Sequence, residues 1–119
     1  MNKEKLLLSN YKKATMELLL LKLLTESDMY GYQLTQEVKK RSNNEYIIQE
    51  GSMYPILYRL SERAFVTSYE KKVGVRQIRI YYHLEKAGYD YYYGVLDSYN
   101  SYSNLIQFLL SSQNGDSFE

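Results

Sequence analysis

The hydrophobic period of this 119-residue chain changes at Ala64, and this change limits the possible folds more than any other feature. Before Ala64, apolar residues recur at the spacing of one helix face, which predicts an amphipathic helix over residues 50–64. Its predicted buried stripe consists of Met53, Ile56, Leu57, Leu60 and Ala64. After Ala64, residues 65–70 are rich in β-forming side chains, and apolar residues alternate with others over 78–84. The basic, glycine-containing connection at 71–76 therefore predicts the tip of a β-hairpin.

A first helix is predicted over residues 11–25, with Ser9 or Asn10 as its N-cap. Lys22 is the only polar residue between positions 18 and 24, so this helix is apolar nearly all round. A peripheral helix of this kind needs cover on two faces, from its own core and from a partner chain or another helix. A fully buried central helix is the alternative, and the sequence leaves both open.

A second helix is predicted from Met29 to about Arg41, capped by Ser27 and Asp28. Gly31 near its start weakens the helix and indicates the close approach of another backbone. Three helices followed by a hairpin form a winged helix-turn-helix, a mainly α fold with a small β-hairpin (α+β). In that arrangement the helix at 50–64 is the recognition helix and the hairpin is the wing.

A long last helix is predicted over roughly residues 89–112. Gly88 is predicted to interrupt the regular structure before it, and a turn at 114–116 is predicted to end it. Its apolar residues recur at helical spacing along most of its length, and nothing else in the chain is left to cover them. A second copy of the chain is the expected cover. We therefore assign residues 1–84 to a winged-helix DNA-binding domain, whose first helix joins the dimer interface, and 85–119 to a dimerisation helix and tail.

The face opposite the buried stripe of the recognition helix carries few solvating charges. It presents Ser52, Pro55, Tyr58, Arg59 and Glu62. Pro55 has no N–H to donate and must lie near the helix start. Exposed backbone N–H groups, the Ser52 hydroxyl and the positive end of the helix dipole would favour a phosphate there. The alternative is an ordinary core helix with an aromatic outer face.

The net charge of +1 conceals an uneven distribution. Residues 39–79 carry nine basic and four acidic side chains, whereas residues 80–119 carry one basic and five acidic. A basic middle segment predicts a local surface for a polyanion. A chance cluster of solvated charges would give the same count.

Enzymatic and metal chemistry find little support in the sequence. The chain has no cysteine and a single histidine, His83, which argues against a zinc site. It has no glycine-rich phosphate loop, no serine elbow and no apolar run long enough to span a membrane, and residues 1–9 do not have the pattern expected of a signal peptide. We therefore expect a cytoplasmic binding protein without a cofactor, either a DNA-binding regulator or a winged-helix module that binds another protein.

Three stretches resemble the PadR family of bacterial winged-helix transcriptional regulators. They are Met29-Tyr30-Gly31-Tyr32-Gln33-Leu34, Glu50-Gly51-Ser52-Met53-Tyr54-Pro55-Ile56-Leu57-Tyr58-Arg59-Leu60, and Ile80-Tyr81-Tyr82-His83-Leu84 with Ala87-Gly88. Each is weak alone, whereas their order and spacing together are specific. The short C-terminal part resembles the compact subgroup that has a single C-terminal helix and includes multidrug-sensing repressors.

The resemblance implies a homodimeric repressor that binds operator DNA and that, as in some members of the family, is released by a small aromatic effector; a dimer interface that Tyr99 and Tyr102 close without a cavity is the alternative. The implied DNA contacts are Ser52, Tyr54, Pro55, Tyr58 and Arg59 on the helix, and Lys71, Lys72, Arg76 and Arg79 on the wing. The implied effector pocket lies at the dimer centre and involves Lys22, Tyr99 and Tyr102, with Tyr99 at the position of a tryptophan in drug-sensing members.

Two departures from the family pattern stand out. Residues 77–80 hold a single arginine where the family has a denser basic run, so this wing should make fewer phosphate contacts. Glu85 replaces the usual Thr or Ser and is a poorer cap for the last helix.

Overall fold

The computed structural model describes residues 3–115, with side chains from residue 10 onward, and shows four helices and a three-stranded antiparallel sheet in this part of the chain. The elements are α1 (Lys3–Glu26), β1 (Met29–Tyr30), α2 (Gly31–Arg41), α3 (Glu50–Glu62), β2 (Val66–Val73), β3 (Gln77–Leu84) and α4 (Lys86–Ser111). The strand order is β1-β3-β2. The predicted α+β winged-helix fold is confirmed. Position 116, the last of the predicted closing turn, lies outside the described residues.

The core lies where α1, α2 and α3 meet the base of the sheet. Its fully buried side chains are Leu20, Leu21, Leu24, Leu34, Met53, Leu57, Leu60, Val66 and Leu84. The stripe predicted for α3 is buried as expected except at Ala64, where the prediction was wrong. Ala64 is exposed and has φ of 60°, because α3 ends at Glu62 and the chain turns there into the hairpin.

Helix α1 differs from the prediction at its start. Ser9 and Asn10 lie inside it, because it begins at Lys3, so neither is the N-cap. Most of its apolar C-terminal half is buried within this chain, at Leu20, Leu21, Leu23 and Leu24, while Leu18 and Leu19 are half-buried. One face of this half of α1 thus packs on the chain's own core, whereas Lys22 is exposed and the opposite face is only partly covered, so the helix is not fully buried; cover from a partner chain stays a prediction.

The predicted cap of α2 at Ser27 and Asp28 is also wrong. Met29 and Tyr30 form β1, which pairs with Tyr82 and Tyr81 of β3, and α2 begins only at Gly31. A strand of two residues is too short to show a period, so no local pattern indicated it. The Asp28 carboxylate bonds to side chains of the other two strands instead of to the helix.

The prediction that Gly88 interrupts the regular structure before the last helix is wrong, because Gly88 lies inside α4. It is buried because the start of α4 packs tightly against the hairpin base: a Cβ at this position would collide with the carbonyl oxygen of Phe65 and lie 2.5 Å from Cδ1 of Leu84. Glu85 occupies the N-cap position without a side-chain cap, and its carboxylate accepts a hydrogen bond from the Thr67 hydroxyl at 2.8 Å. Glu85 is thus the poor cap that the sequence predicted.

Beyond its first turns α4 projects from the body, and the described chain is 74 Å long and 36 Å wide. Its packing on α1 includes a hydrogen bond of 2.7 Å from the Tyr91 hydroxyl to Glu17. Further along, apolar side chains are exposed, among them Tyr99, Tyr102, Leu105, Phe108, Leu109 and Leu110. None of the described helices combines the length and the apolar content of a membrane span.

Candidate nucleic-acid interface

The first turn of α3 is presented to solvent, as the sequence predicted. Glu50, Gly51 and Ser52 are exposed, and the carbonyl of Gln49 accepts hydrogen bonds from the N–H groups of Ser52 and Met53 at 3.0 and 3.1 Å. The Ser52 bond spans three residues and tightens the turn that precedes Pro55, whose exposed ring extends this face. This end of α3 therefore offers a hydroxyl and the positive pole of the helix dipole.

Two larger side chains continue this exposed face along α3. Tyr58 is 66% exposed, and Arg59 is exposed one residue further on. A hydrogen bond to the Glu62 carboxylate raises the pKa of the Tyr58 phenol, so this group keeps its proton and its oxygen can accept a further hydrogen bond. A phenol and a guanidinium on one helix face suit the edges of bases and the phosphates of a duplex.

Tyr54 has a different position from its neighbours on α3. It is 43% exposed, and its phenol ring lies against the backbone of Gly31 at the start of α2. A Cβ on Gly31 would lie 3.0 Å from Cζ of Tyr54 and would collide with the hydroxyl. The close approach predicted at Gly31 exists, but it comes from an aromatic side chain and not from a second backbone. Tyr54 thus joins α3 to α2 at the candidate interface.

A groove of about 740 Å³ separates the start of α3 from the wing. It is lined by Tyr30, Gly31, Tyr32, Tyr54, Gln77, Ile78, Arg79, Ile80 and Tyr82. Its walls are mainly phenol rings and isoleucine side chains, with one guanidinium. The sequence did not indicate this groove, because its walls come from four separate elements.

The wing is longer and its turn is tighter than predicted. Lys71 and Lys72 belong to β2, and only residues 74–76 form the turn, with Gly74 at φ of 71°. The predicted tip at 71–76 is corrected accordingly. Cross-strand pairing places Lys71 opposite Arg79 and Lys72 opposite Ile78, on alternate faces of the sheet.

The wing cations are therefore divided between two faces. On the face of Lys71 and Arg79, the Lys71 ammonium lies 5.2 Å from the Tyr81 ring centroid, and the Arg79 guanidinium lies 4.3 Å from that of Tyr30. Lys72 lies on the other face, and Arg76 lies in the turn. The four cations do not form one continuous basic patch.

A hydrogen-bonded cluster at the wing base joins all three strand regions, and sequence reasoning missed it because Asp28 fitted a helix cap. The Asp28 carboxylate accepts a hydrogen bond from the Tyr69 hydroxyl at 2.8 Å and lies 2.8 Å from Nδ1 of His83. The bond to Asp28 raises the pKa of the His83 imidazole, although desolvation opposes it. His83 thus fixes the wing to the body, and no group of metal-binding side chains occurs in the described part of the chain.

The three predicted effector residues are at different places in the protomer. Lys22 pairs with Glu26 at 3.2 Å and lines a cavity of about 280 Å³ between α1 and α2. Tyr89 donates to the Thr25 carbonyl at 3.5 Å, close to Lys22, whereas Tyr99 lies ten residues further along α4, a distance of about 15 Å. Tyr102 is a turn beyond Tyr99. Within the protomer, Lys22 and these two tyrosines therefore do not form one site.

Comparison with known proteins agrees with this geometry. A model of the PadR-like family of transcriptional regulators matches residues 20–93, which include the core, α3 and the wing. An uncharacterised protein of Lysinibacillus sphaericus is 33% identical over 73 residues, covering 61% of this chain and 67% of its own.

Solved structures share the fold over most of the chain. A PadR-family transcriptional regulator from Eggerthella lenta has a TM-score of 0.81 at 20% identity, covering 92% of this chain and 93% of its own. A transcriptional regulator from Clostridium thermocellum has a TM-score of 0.76 at 23% identity, covering 82% and 95%. A PadR-like regulator from Bacillus cereus has a TM-score of 0.72 at 24% identity, covering 87% and 99%. With a family match over more than half of its length, the chain belongs to the PadR-like family, which consists of transcriptional regulators and not of enzymes.

Proposed function

We propose that the protein is a homodimeric repressor that binds operator DNA through α3 and the wing. The observation that carries this proposal is the exposed start of α3 beside the groove and the wing: the Ser52 hydroxyl and the positive end of the helix dipole lie next to a hairpin that carries cations on both of its faces and in its turn. Residues 1–84 would bind DNA, and residues 85–119 would hold the dimer together.

Within this proposal the two elements have different tasks. Ser52 and the free N–H groups of α3 anchor a phosphate, while Pro55, Tyr58 and Arg59 meet the major groove. Tyr54, packed on Gly31, sets the angle of α3 and contacts DNA with its exposed edge. On the wing, Lys71, Lys72, Arg76 and Arg79 act mainly on phosphates.

The exposed apolar surface of α4 supports the dimer. Leu105 and Leu109 are half exposed and Phe108 is 67% exposed, on a helix that projects away from its own core. A second copy would bury this surface and would place two DNA-binding faces in one symmetric particle.

The effector site follows from the dimer. Tyr99 and Tyr102, exposed in the protomer, would face their symmetry mates, and Lys22 of the other chain would supply a cation. Two phenol rings across a two-fold axis form a slot for a flat aromatic molecule, and the hydroxyls of these rings can stay hydrated. An effector that changes the angle between the two wings would weaken DNA binding, and DNA would weaken effector binding equally.

Selection of bound duplexes from a random pool tests the DNA-binding function. We expect a sequence-specific site whose affinity falls steeply with salt. We expect the Lys71→Ala, Lys72→Ala variant to reduce the salt slope by roughly 0.9 for each phosphate that the wing no longer neutralises. A Lys39→Ala, Lys40→Ala variant, which removes two exposed lysines from the end of α2, serves as the control.

Recovery of no preferred duplex would contradict the proposal and favour a module that binds another protein. Unchanged affinity and salt slope in the wing variant would leave α3 as the only DNA-binding element.

For the effector site, planar dyes should bind the parent and bind Tyr99→Ala at least tenfold more weakly. Equal binding of every dye would exclude that site.

A further inference from the structure

On the face of the wing that lies toward α3, the exposed side chains of β3 are apolar where those of a phosphate-binding wing would be basic. Ile78 is 56% exposed and Ile80 is 50% exposed, on the same face of β3. Val75, in the turn at the wing tip, is 95% exposed. Single exposed apolar residues are common on protein surfaces, but two of them on one face of a projecting hairpin and a third at its tip form an apolar strip.

This strip continues the core face of the sheet beyond the body of the protein. On β3, Leu84 is buried opposite Val66 and Tyr82 is half-buried, whereas Ile80 and Ile78 extend past the helices and line the groove beside α3. Strands of eight residues are about 26 Å long, so the tip lies well clear of the core. The minor groove next to the major-groove site of a recognition helix is half a helical turn away, about 17 Å. The wing is long enough to reach it.

The charges around the outer part of the strip fit a duplex. Lys72 lies opposite Ile78 on the same face, and Arg76 follows Val75 in the turn, so two cations flank the apolar side chains. The Glu70 carboxylate is on this face too, but one pair nearer the body. Two cations next to an apolar tip match a groove whose walls are phosphates and whose floor is base edges.

We infer that Val75 and Ile78 enter the minor groove beside the α3 site and select A·T over G·C pairs there; this rests on the proposed DNA-binding function and adds a second, apolar reading element to it. The reason is chemical. Guanine places an amino donor on the minor-groove floor, which A·T pairs lack. A methyl group packed over that donor would separate it from water and leave it without an acceptor. An apolar tip therefore discriminates against guanine without making any hydrogen bond.

Base analogues isolate this contact from readout in the major groove. The probe is a duplex recovered from the random pool, with the pairs half a turn outward from the α3 site replaced by G·C or by inosine·C. Inosine keeps the major-groove edge of guanine and lacks its amino group. We expect G·C to weaken binding by about tenfold and inosine·C to restore it to within about twofold of A·T.

The matched variants are Val75→Thr with Ile78→Thr, and Val73→Thr as the control. Val73 pairs with Gln77 and so lies on the opposite face of the same hairpin. Threonine keeps the β-branched shape, so the wing should fold in both proteins, which circular dichroism checks. We expect the double variant to bind the G·C and inosine·C duplexes equally within about twofold, and the control to keep the tenfold difference.

The results separate the two hypotheses. If the parent binds the selected duplex but treats G·C and inosine·C alike, or if the double variant keeps the full difference, the minor-groove inference is wrong while the DNA-binding proposal stands. If replacing thymine by uracil at these positions weakens binding and the inosine exchange has no effect, the apolar contact is with a thymine methyl in the major groove, and the inference is again wrong. If the parent binds no duplex, the DNA-binding function fails, and this inference fails with it.

Discussion

Helices α3 and α4 are both amphipathic and both carry large exposed side chains, but they are attached to the protein in different ways. Four side chains of α3, including Leu57 and Leu60, are buried in the core of this chain. In α4, a helix of twice the length, Gly88 and Tyr92 are the buried residues among those described. The exposed face of α3 therefore has a rigid support directly beneath it, while the outer half of α4 has none.

This difference indicates what each helix is able to do. A side chain that reads DNA has to be held in one position, and Tyr58 and Arg59 are held by the buried residues next to them in sequence. An unsupported apolar helix is instead suited to packing against an identical helix, because both then gain a core that neither chain contains alone. The proposed recognition surface is thus a property of one chain, and the proposed dimer surface is a property of two.

The largest effect is expected on the outer half of α4. Leu105→Glu with Leu109→Glu places two carboxylates one turn apart on its exposed apolar face. Burying them without partners at an interface would cost at least about 3 kcal/mol together, which weakens the dimer by more than about 100-fold. Sedimentation velocity should show a monomer at concentrations where the parent is dimeric, with unchanged helix content.

The matched control is Asn100→Glu with Asn104→Glu, which adds the same two charges at the same spacing on the polar side of α4. This protein should remain dimeric. Dissociation of both variants to the same extent would mean that added charge, and not the apolar face, controls assembly. The exposed apolar face of α4 would then not be the dimer interface.

A smaller effect is expected where α4 is attached to the core. Gly88→Ala introduces a methyl group that meets the carbonyl oxygen of Phe65, a backbone atom that cannot move aside. We expect a loss of about 1–3 kcal/mol in the free energy of unfolding, measured by urea denaturation. Gly94→Ala in the same helix has no atom within 4 Å of the new methyl group and should gain up to about 1 kcal/mol from helix propensity. Equal stability of the two variants would mean that the start of α4 is not locked to the hairpin.

The period of the hydrophobic residues predicted the fold well wherever a helix or strand is long enough for the pattern to repeat. The α3 stripe and the β3 alternation required no knowledge of tertiary contacts, and together they determined the winged-helix class. The predictions were wrong where one residue type can have two different structural roles. Gly88 resembled a breaker and is a packing glycine, and Asp28 resembled a helix cap and bonds to the wing base. Such choices depend on atoms far away in sequence, which a local pattern does not contain.

The candidate interface was predictable in part for the same reason. Exposure of Tyr58 and Arg59 follows from helix period alone. The division of the wing cations between two faces, and the exposed strip at Val75 and Ile78, depend on the register of β2 with β3 and on how far the hairpin projects. Neither quantity is set by composition, so a count of basic residues suggested a single basic surface on the wing, which the strand register does not produce.

The smallest effect is expected at the end of α3, where a helix supported by the core stops abruptly. The N–H of Phe65 donates to the carbonyl of Leu60, and that of Ala64 donates to Ser61, both at 3.0 Å. These two bonds form a Schellman motif, whose left-handed position is normally a glycine but is here Ala64, at φ of 60°.

Relief of the left-handed strain by Ala64→Gly is worth roughly 1–2 kcal/mol, and the greater flexibility of glycine in the unfolded chain costs roughly 0.5–1 kcal/mol. We expect a net gain of about 0.5–1 kcal/mol in urea denaturation, since the strain exceeds the entropy. Ala14→Gly, at an exposed site within α1, should lose about 1 kcal/mol by the same measurement because it has only the entropic cost. If Ala64→Gly is as destabilising as Ala14→Gly, the left-handed backbone of Ala64 is not strained. The packing of α3 on the core would then be independent of the backbone conformation at this turn.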